Sequence, residues 1–208
     1  KVKPDYLVDG GDFDDFESLC SHLGEGTSSS EKAPTLMEDI EKSVEAHRAI
    51  DKAIKVPVKK YRTLGNHEHR LWLYEEQNPK LANNIVPRYL DILKVFGWEY
   101  VYYREWLDID GVDFTHVPMS GMNRPVGGKQ PHVTQSNHII RDLCFGHTHA
   151  MGYHVAHKLG PYPGRSVKCL NGGCFMPDGY VPDYTKGSQK SFWYGLHYMK
   201  IKNGTITD

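Results

Sequence analysis

The sequence predicts a protein of the α/β class, and two observations support that prediction. Over roughly the first half of the chain, short apolar runs alternate with segments whose apolar residues recur at helical spacing. From about residue 99 onward the apolar period shortens towards two, which indicates a half made mainly of strands. Polar clusters follow several predicted strands, and ligands of open α/β sheets bind outside the carboxyl ends of strands.

The first half of the chain is predicted to contain both strands and helices. The run Tyr6-Leu7-Val8 predicts a buried strand that leads into Asp9-Gly10-Gly11-Asp12. Thr35 and Glu38 form a capping box, and apolar residues at spacings of three and four predict a helix over 36–55. Other predicted elements are a helix over 13–22, a surface loop over 24–32, a strand over 59–64, and helices over about 69–78 and 84–96.

The second half is predicted to be rich in strands. Segments 99–109 and 112–115 predict a strand pair that turns at Asp110-Gly111, and Asn203-Gly204 is a strong hairpin signal. Further strands are predicted over 142–145, 153–159, 166–170 and 192–201, and the alternating aromatic residues of the last segment are expected in the core. No internal repeat or second boundary is visible, so residues 1–208 are predicted to form a single domain.

The composition narrows the classes of protein to consider. A formal net charge of -1 gives no electrostatic footprint for wide binding to nucleic acid, although a nucleotide or a short strand in a cleft stays open. No apolar run is long enough for a membrane span, and no secretory signal is visible. A cytoplasmic location is therefore expected, and with it reduced thiols at the four cysteines, Cys20, Cys144, Cys169 and Cys174.

Four polar clusters carry the candidate chemistry, and each follows a predicted strand. Aspartate supplies a hard oxygen that can bridge two cations, histidine supplies nitrogen, and asparagine supplies a neutral carbonyl oxygen. Such a mixed set without thiolate suits Mn²⁺, Fe or Zn²⁺ better than it suits a structural zinc. The clusters are Gly11-Asp12-Phe13-Asp14-Asp15, Gly65-Asn66-His67-Glu68, Thr115-His116 and Gly146-His147-Thr148-His149.

In this order the clusters resemble the motifs of the calcineurin-like metallophosphoesterase family: G-D-x-x-D, G-N-H-E, a single histidine after a strand, and G-H-T-H. The resemblance runs from about residue 3 to 152 and more weakly to the end. The tracts Lys3-Pro4-Asp5 and Asn66-His67-Glu68-His69-Arg70 are similar to the version found in bacteriophage genomes. The resemblance implies an αββα sandwich of two mixed β-sheets flanked by helices.

The resemblance also implies a dinuclear metal site. Asp12 would bridge both metals, Asn66, His116 and His147 would complete one site with it, and His149 would serve the other. Two divalent ions are thus expected, with Mn²⁺ as the expected metal and Fe, Zn²⁺ or Mg²⁺ as alternatives.

The implied catalytic pair is His67 with Asp15. His67 would face the substrate and stabilise the phosphoryl charge or protonate the leaving oxygen, and Asp15 would keep it oriented through a hydrogen bond. The implied reaction is two-metal hydrolysis of a phosphate ester without a covalent enzyme intermediate. A diester and a monoester fit the motifs equally, and the substrate is expected to be a nucleotide or a short nucleic acid.

One departure from the family pattern is a missing D-x-H motif before Asp12. Only eleven residues precede Asp12, and none of them supplies it, so the first strand and the second metal site are expected to be incomplete. The motif was either cut away, which a start at Lys1 favours, or lost. A catalytically impaired binding scaffold is therefore the alternative function, although His67 beside Asn66 counts against it.

Several other polar residues have an ordinary interpretation beside a functional one. Asp14 is predicted to be only a helix N-terminal carboxylate. Arg70 is as compatible with reaching a phosphate as with a solvated helix position. The segment 172–187 is predicted to be a packed surface loop rather than a lid. Ordinary surface or core positions are predicted for His22, His47, His132, His138, His154, His157 and His197.

Overall fold

The computed structural model describes residues 3–20, 33–159, 166–176 and 192–207. Helices and both parallel and antiparallel strand pairs are present, so the predicted α/β class is confirmed. The chain divides into two compact units, Lys1–Val101 and Tyr102–Asp208. The single domain over 1–208 stays a prediction.

The first unit contains a three-stranded parallel sheet in the order β1-β2-β3. Its strands are β1 (Tyr6–Asp9), β2 (Lys59–Thr63) and β3 (Trp98–Val101). Because β1 and β2 are parallel neighbours, their carboxyl ends lie at the same edge of the sheet. The loops that continue from this edge carry the first two polar clusters.

Three α-helices accompany this sheet: α1 (Leu36–Ala53), α2 (Arg70–Gln77) and α3 (Val86–Val95). The predicted capping box is confirmed, since Thr35 Oγ1 accepts the Glu38 N–H at 3.3 Å and the Glu38 carboxylate accepts the Thr35 N–H at 2.6 Å. In the described part of the chain, no helix has the length and apolar content needed to cross a membrane.

The predicted helix over 13–22 is wrong for the residues that the structure describes. Only a short 3₁₀ turn, Glu17–Leu19, forms there. Phe16 adopts the left-handed conformation at φ 46° and ψ 53°, which interrupts a right-handed helix. The rest of that segment and the predicted loop over 24–32 lie outside the described residues, apart from Cys20.

The core of the first unit lies where the helices cover the sheet. Phe16 meets Tyr89 edge to face, with ring centroids 5.2 Å apart. Each fully buried large apolar side chain contributes about 1.5–3 kcal/mol through the hydrophobic effect. The buried members of this cluster are Phe16, Leu64, Leu71, Val86, Tyr89, Leu93 and Trp98.

The second unit contains a five-stranded sheet in the order β4-β5-β6-β8-β7. The inner strands β5, β6 and β8 are parallel and the outer two are antiparallel to their neighbours, so this sheet is mixed. The carboxyl ends of β5 and β6 lie together, and the last two polar clusters continue from them. The strands are β4 (Leu107–Ile109), β5 (Val112–Thr115), β6 (Leu143–Phe145), β7 (Met151–His157) and β8 (Ser166–Gly172).

Both predicted hairpin turns are confirmed. Asp110 and Gly111 turn β4 into β5 with φ values of 50° and 89°, as a type I′ turn requires. Asn203 and Gly204 do the same between β9 (Ile201–Lys202) and β10 (Thr205–Ile206), with φ values of 52° and 74°. The buried carboxylate of Asp142 accepts the Lys168 and Ile206 N–H groups at 2.8 Å and so ties the last hairpin to the sheet.

Two strand predictions in this part of the chain are wrong. The predicted strand over 99–109 is two strands, β3 and β4, which belong to different sheets. Most of the segment 192–201 is not in a ladder, and its Tyr194 and Tyr198 are 41% and 58% exposed instead of buried. The helix α4 (Pro131–His138) was not predicted because its sequence is polar and has no clear apolar stripe.

Candidate metal centre

In the first unit, the loops after β1 and β2 interlock at Asp12 and Gly65. Asp12 is left-handed at φ 56°, and its Oδ1 accepts the His67 N–H at 2.9 Å. A Cβ on Gly65 would lie 2.1 Å from Asp12 Oδ1, which is far inside van der Waals contact. The glycine of G-N-H-E is therefore required so that the Asp12 carboxylate can lie against this backbone.

Glu68 holds these two loops together. Its side chain is fully buried and accepts four backbone N–H groups, two at each oxygen. Gly65 donates at 2.8 Å and Asp12 at 3.1 Å to Oε2. Phe13 donates at 2.8 Å and Asp14 at 3.1 Å to Oε1. One carboxylate thus accepts hydrogen bonds from four backbone N–H groups near the strand ends. We call this arrangement the Glu68 clamp.

The ionisation of Glu68 is set by opposing effects. Burial raises its pKa to about 7, and the nearby carboxylates of Asp12 and Asp14 act in the same direction, whereas Arg62 opposes them. The four N–H donors need the ionised carboxylate as their full acceptor. Protonation would remove acceptor capacity from one oxygen of the clamp, whereas the raised pKa means that burial favours the neutral carboxyl.

His67 lies between two carboxylates of the first loop. Its Nδ1 is 2.6 Å from Asp15 Oδ1, and its Nε2 is 3.9 Å from Asp12 Oδ2. Burial raises the pKa of Asp15, but the hydrogen bond and charge of His67 and the charge of Arg70 outweigh it, so that pKa lies below its ordinary value. Because an ionised Asp15 can only accept, Nδ1 carries a proton and donates it to this hydrogen bond, and Nε2 is the ring nitrogen that faces Asp12.

A buried arginine supports the first loop from inside the unit. The Arg62 guanidinium forms ion pairs with Asp9 at 2.8 Å and Asp14 at 3.4 Å. It also lies over the rings of Phe13 and Trp98, with its Cζ 4.2 and 4.5 Å from their centroids. The prediction that Asp14 is only a helix N-terminal carboxylate is wrong, because Asp14 is a buried partner of this arginine.

His47, on α1, completes the surroundings of Arg62. The ring is fully buried, its Nδ1 donates to the Ser43 carbonyl at 2.7 Å, and its Nε2 is 3.2 Å from Arg62 Nη1. Burial, and then the charge of Arg62, lower the pKa of His47. A neutral ring with a proton on Nδ1 fits both contacts, so His47 is a core histidine, one of the two ordinary positions predicted for it.

In the second unit, His116 and His147 bring ring nitrogens together. His116 follows β5 and is buried, and its Nε2 lies 3.2 Å from His147 Nδ1. Two nitrogens bound to one ion at about 2.1 Å lie about 3.0–3.4 Å apart for octahedral to tetrahedral angles. The observed separation therefore fits two ligands of one cation.

Backbone conformation places the histidines that follow β6. His147 and His149 are both left-handed, with φ values of 71° and 58°. Non-glycine residues adopt this conformation at a cost of about 1–2 kcal/mol each, both in tight turns and at functional sites. The loop is held by hydrogen bonds from Gly146 N–H to the His116 carbonyl and from Thr148 N–H to the Gly146 carbonyl, both at 2.9 Å.

His149 has aromatic surroundings. Its ring meets Phe192 edge to face, with centroids 4.6 Å apart and planes at 88°. Its carbonyl accepts the Trp193 N–H at 3.0 Å. The segment from Phe192 thus packs against the G-H-T-H loop instead of continuing the sheet.

The predicted site residues fall into two groups that the units assemble by themselves. The first unit brings together Asp12, His67 and Asp15, and the second brings together His116 and His147. Within the described residues, the set of side chains that could each offer a metal one ligand atom is Asp12 of the first unit and His116 and His147 of the second. His149 is not in that set, and Asn66 lies half-buried in the turn before α2.

Comparison with known proteins gives no match. No family model, no curated protein and no solved structure matches this chain. The resemblance to metallophosphoesterases therefore stays a prediction, and the candidate metal centre depends on geometry and residue chemistry alone.

Sequence reasoning missed the residues that support the first loop. Glu68 belongs to the G-N-H-E string, yet nothing local indicates that its carboxylate collects N–H groups from 54 to 56 residues away. Arg62 in β2 and Tyr89 in α3 gave no functional signal either. The sequence of β2, Lys-Lys-Tyr-Arg-Thr, gives no sign that Arg62 is the buried cation, because two other cations precede it in the same strand.

Proposed function

We propose that the chain is a metal-dependent hydrolase of phosphate esters with a metallophosphoesterase-like sandwich fold. The observation that carries this proposal is the direction of the His67 ring. Nδ1 is bound to Asp15, and Nε2 is turned towards the carboxylate of Asp12, the residue with the strongest chemical case as a bridging metal ligand. A proton donor beside a cation-binding carboxylate is an arrangement suited to ester cleavage.

The donor set supports hard or borderline divalent ions. Asp12, His116 and His147 offer oxygen and nitrogen without thiolate, and Asn66 is proposed to add a neutral oxygen. Bound ions would acidify a water and neutralise phosphoryl oxygens during hydrolysis. Mn²⁺ is the proposed metal, with Fe, Zn²⁺ and Mg²⁺ as alternatives, and His149 is proposed to serve a second, less complete site.

The chain's own contribution to the reaction is proton transfer and orientation. His67 Nε2 is proposed to give its proton to the ester oxygen as the bond between phosphorus and that oxygen breaks, so the alcohol leaves neutral. Asp15 keeps Nδ1 protonated and the ring in place. A positioned acid of this kind contributes about 10²–10⁴-fold to a rate.

The substrate class stays as broad as the chemistry allows. Both a diester and a monoester present phosphoryl oxygens to the same cations, and the near-neutral net charge disfavours long duplex DNA. A nucleotide or a short single strand is the proposed natural substrate.

The proposal is tested with the full chain, first freed of metal by a chelator and then loaded with Mn²⁺. We expect hydrolysis of nitrophenyl phosphate esters, scored on both a diester and a monoester, to depend on the added metal. His67→Ala should lower turnover of methyl phosphate esters by about 100-fold or more, because their alkoxide leaving group needs a proton. His157→Ala, at an exposed position of β7, is the matched control and should retain activity.

A different result would favour the alternative function. If the loaded chain binds Mn²⁺ by calorimetry but hydrolyses neither ester class, the hydrolase proposal is rejected and a metal-binding scaffold is supported. If it hydrolyses both classes equally well without metal, the metal centre itself is rejected.

A further inference from the structure

Arg70 is the first residue of α2, and its guanidinium is bound to the turn that carries Asp15. Nη1 lies 2.6 Å from the Asp15 carbonyl oxygen, 3.3 Å from Asp15 Oδ1 and 3.4 Å from the Phe16 carbonyl oxygen. The Arg70 side chain is only 14% exposed, so these contacts are largely shielded from water. Of the two positions that the sequence offered, a solvated helix position is wrong, because the side chain is bound to this turn, and a phosphate contact stays a prediction.

The oxygen that Arg70 contacts is the one that holds His67. Asp15 Oδ1 accepts from His67 Nδ1 at 2.6 Å and from Arg70 Nη1 at 3.3 Å, which makes a continuous chain from arginine to imidazole. The Asp15 side chain is 42% exposed, and a short exposed carboxylate can choose among three staggered rotamers. Arg70 contributes a second partner that favours the one rotamer in which Asp15 meets His67.

The backbone of this turn also depends on Arg70. Phe16 is buried and left-handed at φ 46°, a conformation that a non-glycine residue adopts only when its surroundings enforce it. Arg70 contacts the main-chain carbonyls of both Asp15 and Phe16. One guanidinium nitrogen, Nη1, thus constrains both the main chain and the side chain at Asp15.

We propose that Arg70 is a positioning residue that holds Asp15, and through it the His67 ring, in the orientation for proton donation. This inference rests on the proposed function for its consequence in catalysis, but its structural content can be tested without turnover. The charge of Arg70 is among the causes that keep the pKa of Asp15 low, which agrees with a carboxylate held ionised as an acceptor.

The first measurement is the Nδ1–H resonance of His67, observed by proton and nitrogen NMR of the full chain without metal and assigned by its loss in His67→Gln. A hydrogen bond of 2.6 Å to a carboxylate should give a downfield, slowly exchanging signal. We expect Arg70→Met to broaden or remove it, as Asp15→Asn does. Arg70→Lys should restore part of the signal, and Arg88→Met, at an exposed position of α3, should leave it unchanged.

The second measurement compares kcat and KM of the metal-loaded chain for two esters of one class. It distinguishes a positioning role of Arg70 from a direct contact of Arg70 with the phosphate. Arg70→Met should lower kcat for a methyl ester by about 10–100-fold and kcat for a nitrophenyl ester by less than about 3-fold, with KM nearly unchanged. A higher KM for both esters with unchanged kcat would overturn the proposal in favour of a phosphate contact.

The two proposals fail in different ways. If the chain shows no metal-dependent hydrolysis, the proposed function fails, while loss of the His67 signal in Arg70→Met still supports Arg70 as the positioning residue. If the signal and its exchange rate are the same in Arg70→Met and in the parent chain, the inference about Arg70 is overturned whatever the activity. Circular dichroism of Arg70→Lys and Arg70→Met provides the check that both variants fold.

Discussion

The two units hold their candidate site residues in place by different physical means. In the first unit, hydrogen bonds hold the site residues in place, because Glu68 binds backbone N–H groups of both loops and Asp15 orients the His67 ring. Left-handed backbone is common to both units, at Asp12 and Phe16 in the first and at His147 and His149 in the second. In the first unit, the buried hydrogen bonds of Glu68 offset the cost of this conformation, which is about 1–2 kcal/mol for each side chain.

This difference has a consequence for substitution. In the first unit a site residue cannot be changed without leaving buried donors or charges unsatisfied, so loss of function and loss of stability should occur together. In the second unit removal of a histidine also relieves strain, so the two losses should separate. The experiments that follow are ordered by the size of the effect expected.

The largest effect is expected for Glu68→Gln. An amide would direct its own N–H groups at two of the four backbone donors, so we expect the free energy of unfolding to fall by about 3 kcal/mol or more. Urea denaturation measures this. The matched control is Glu75→Gln, because Glu75 also accepts four backbone N–H groups, from residues 83–86, but at the protein surface. Equal losses in the two variants would contradict a special role for the buried clamp.

Gly65→Ala should come next. Its Cβ would overlap Asp12 Oδ1, so the carboxylate or its loop must move, at a cost of about 1–3 kcal/mol. We also expect the affinity for Mn²⁺, measured by calorimetry, to fall at least 10-fold. Gly10→Ala is the control in the same loop, because a Cβ there meets nothing within 4 Å. Unchanged metal affinity in Gly65→Ala would count against Asp12 as a ligand.

Tyr89→Phe probes the inner support of the first loop. The hydroxyl donates to Asp14 Oδ2 at 2.8 Å and is fully buried, so its removal should cost about 1–2 kcal/mol. Tyr153→Phe, on an exposed ring of the second unit, should change stability by less than about 0.5 kcal/mol. Thermal denaturation of both variants gives the comparison, and a loss no larger for Tyr89→Phe would show that Asp14 does not need the hydroxyl.

His47 should make the first unit acid-sensitive. Its pKa in the folded chain lies below the ordinary value of 6.5, because of burial and the charge of Arg62. Below pH 6.5 the unfolded chain takes up a proton that the folded chain does not, so stability is complete above this pH and falls as the pH drops towards the folded pKa. His47→Gln, which does not titrate, should flatten this part of a stability profile measured from pH 5 to 8. A profile identical to that of the parent chain would show that other groups dominate.

The smallest change in stability is expected for His147→Gly in the second unit. Glycine adopts φ 71° without the penalty of a side chain, which offsets the lost ring contacts, so the free energy of unfolding should change by less than about 1 kcal/mol. Metal affinity should nevertheless fall by 10-fold or more, since one ring nitrogen is gone. A stability loss as large as that of Glu68→Gln would remove the contrast between the units.

Local patterns predicted the elements whose cause is local. The capping box at Thr35, the turns at Asp110-Gly111 and Asn203-Gly204, and the apolar runs of β1 and β6 all carry their own signal. The segments 13–22 and 192–201 were predicted wrongly because distant groups decide them. Glu68 takes the N–H groups of the first, and the G-H-T-H loop bonds to the second at Trp193.

The same distinction applies to the candidate site. Residue types at strand ends identified Asp12, His67, His116 and His147, since ligand chemistry is carried by the side chain itself. Supporting residues such as Glu68 and Arg70 were not identified, because their function lies in which backbone groups they meet. No periodicity or composition records those partners.

The Glu68 clamp joins parts of the chain that are 56 residues apart, from Asp12 to Glu68. Closing a loop of that length costs about 3–4 kcal/mol in chain entropy, which no short segment can recover alone. We therefore expect the Asp12 loop to have no fixed conformation during translation until Glu68 has left the ribosome. A nascent chain arrested before that point should leave Asp12 without its geometry for binding an ion.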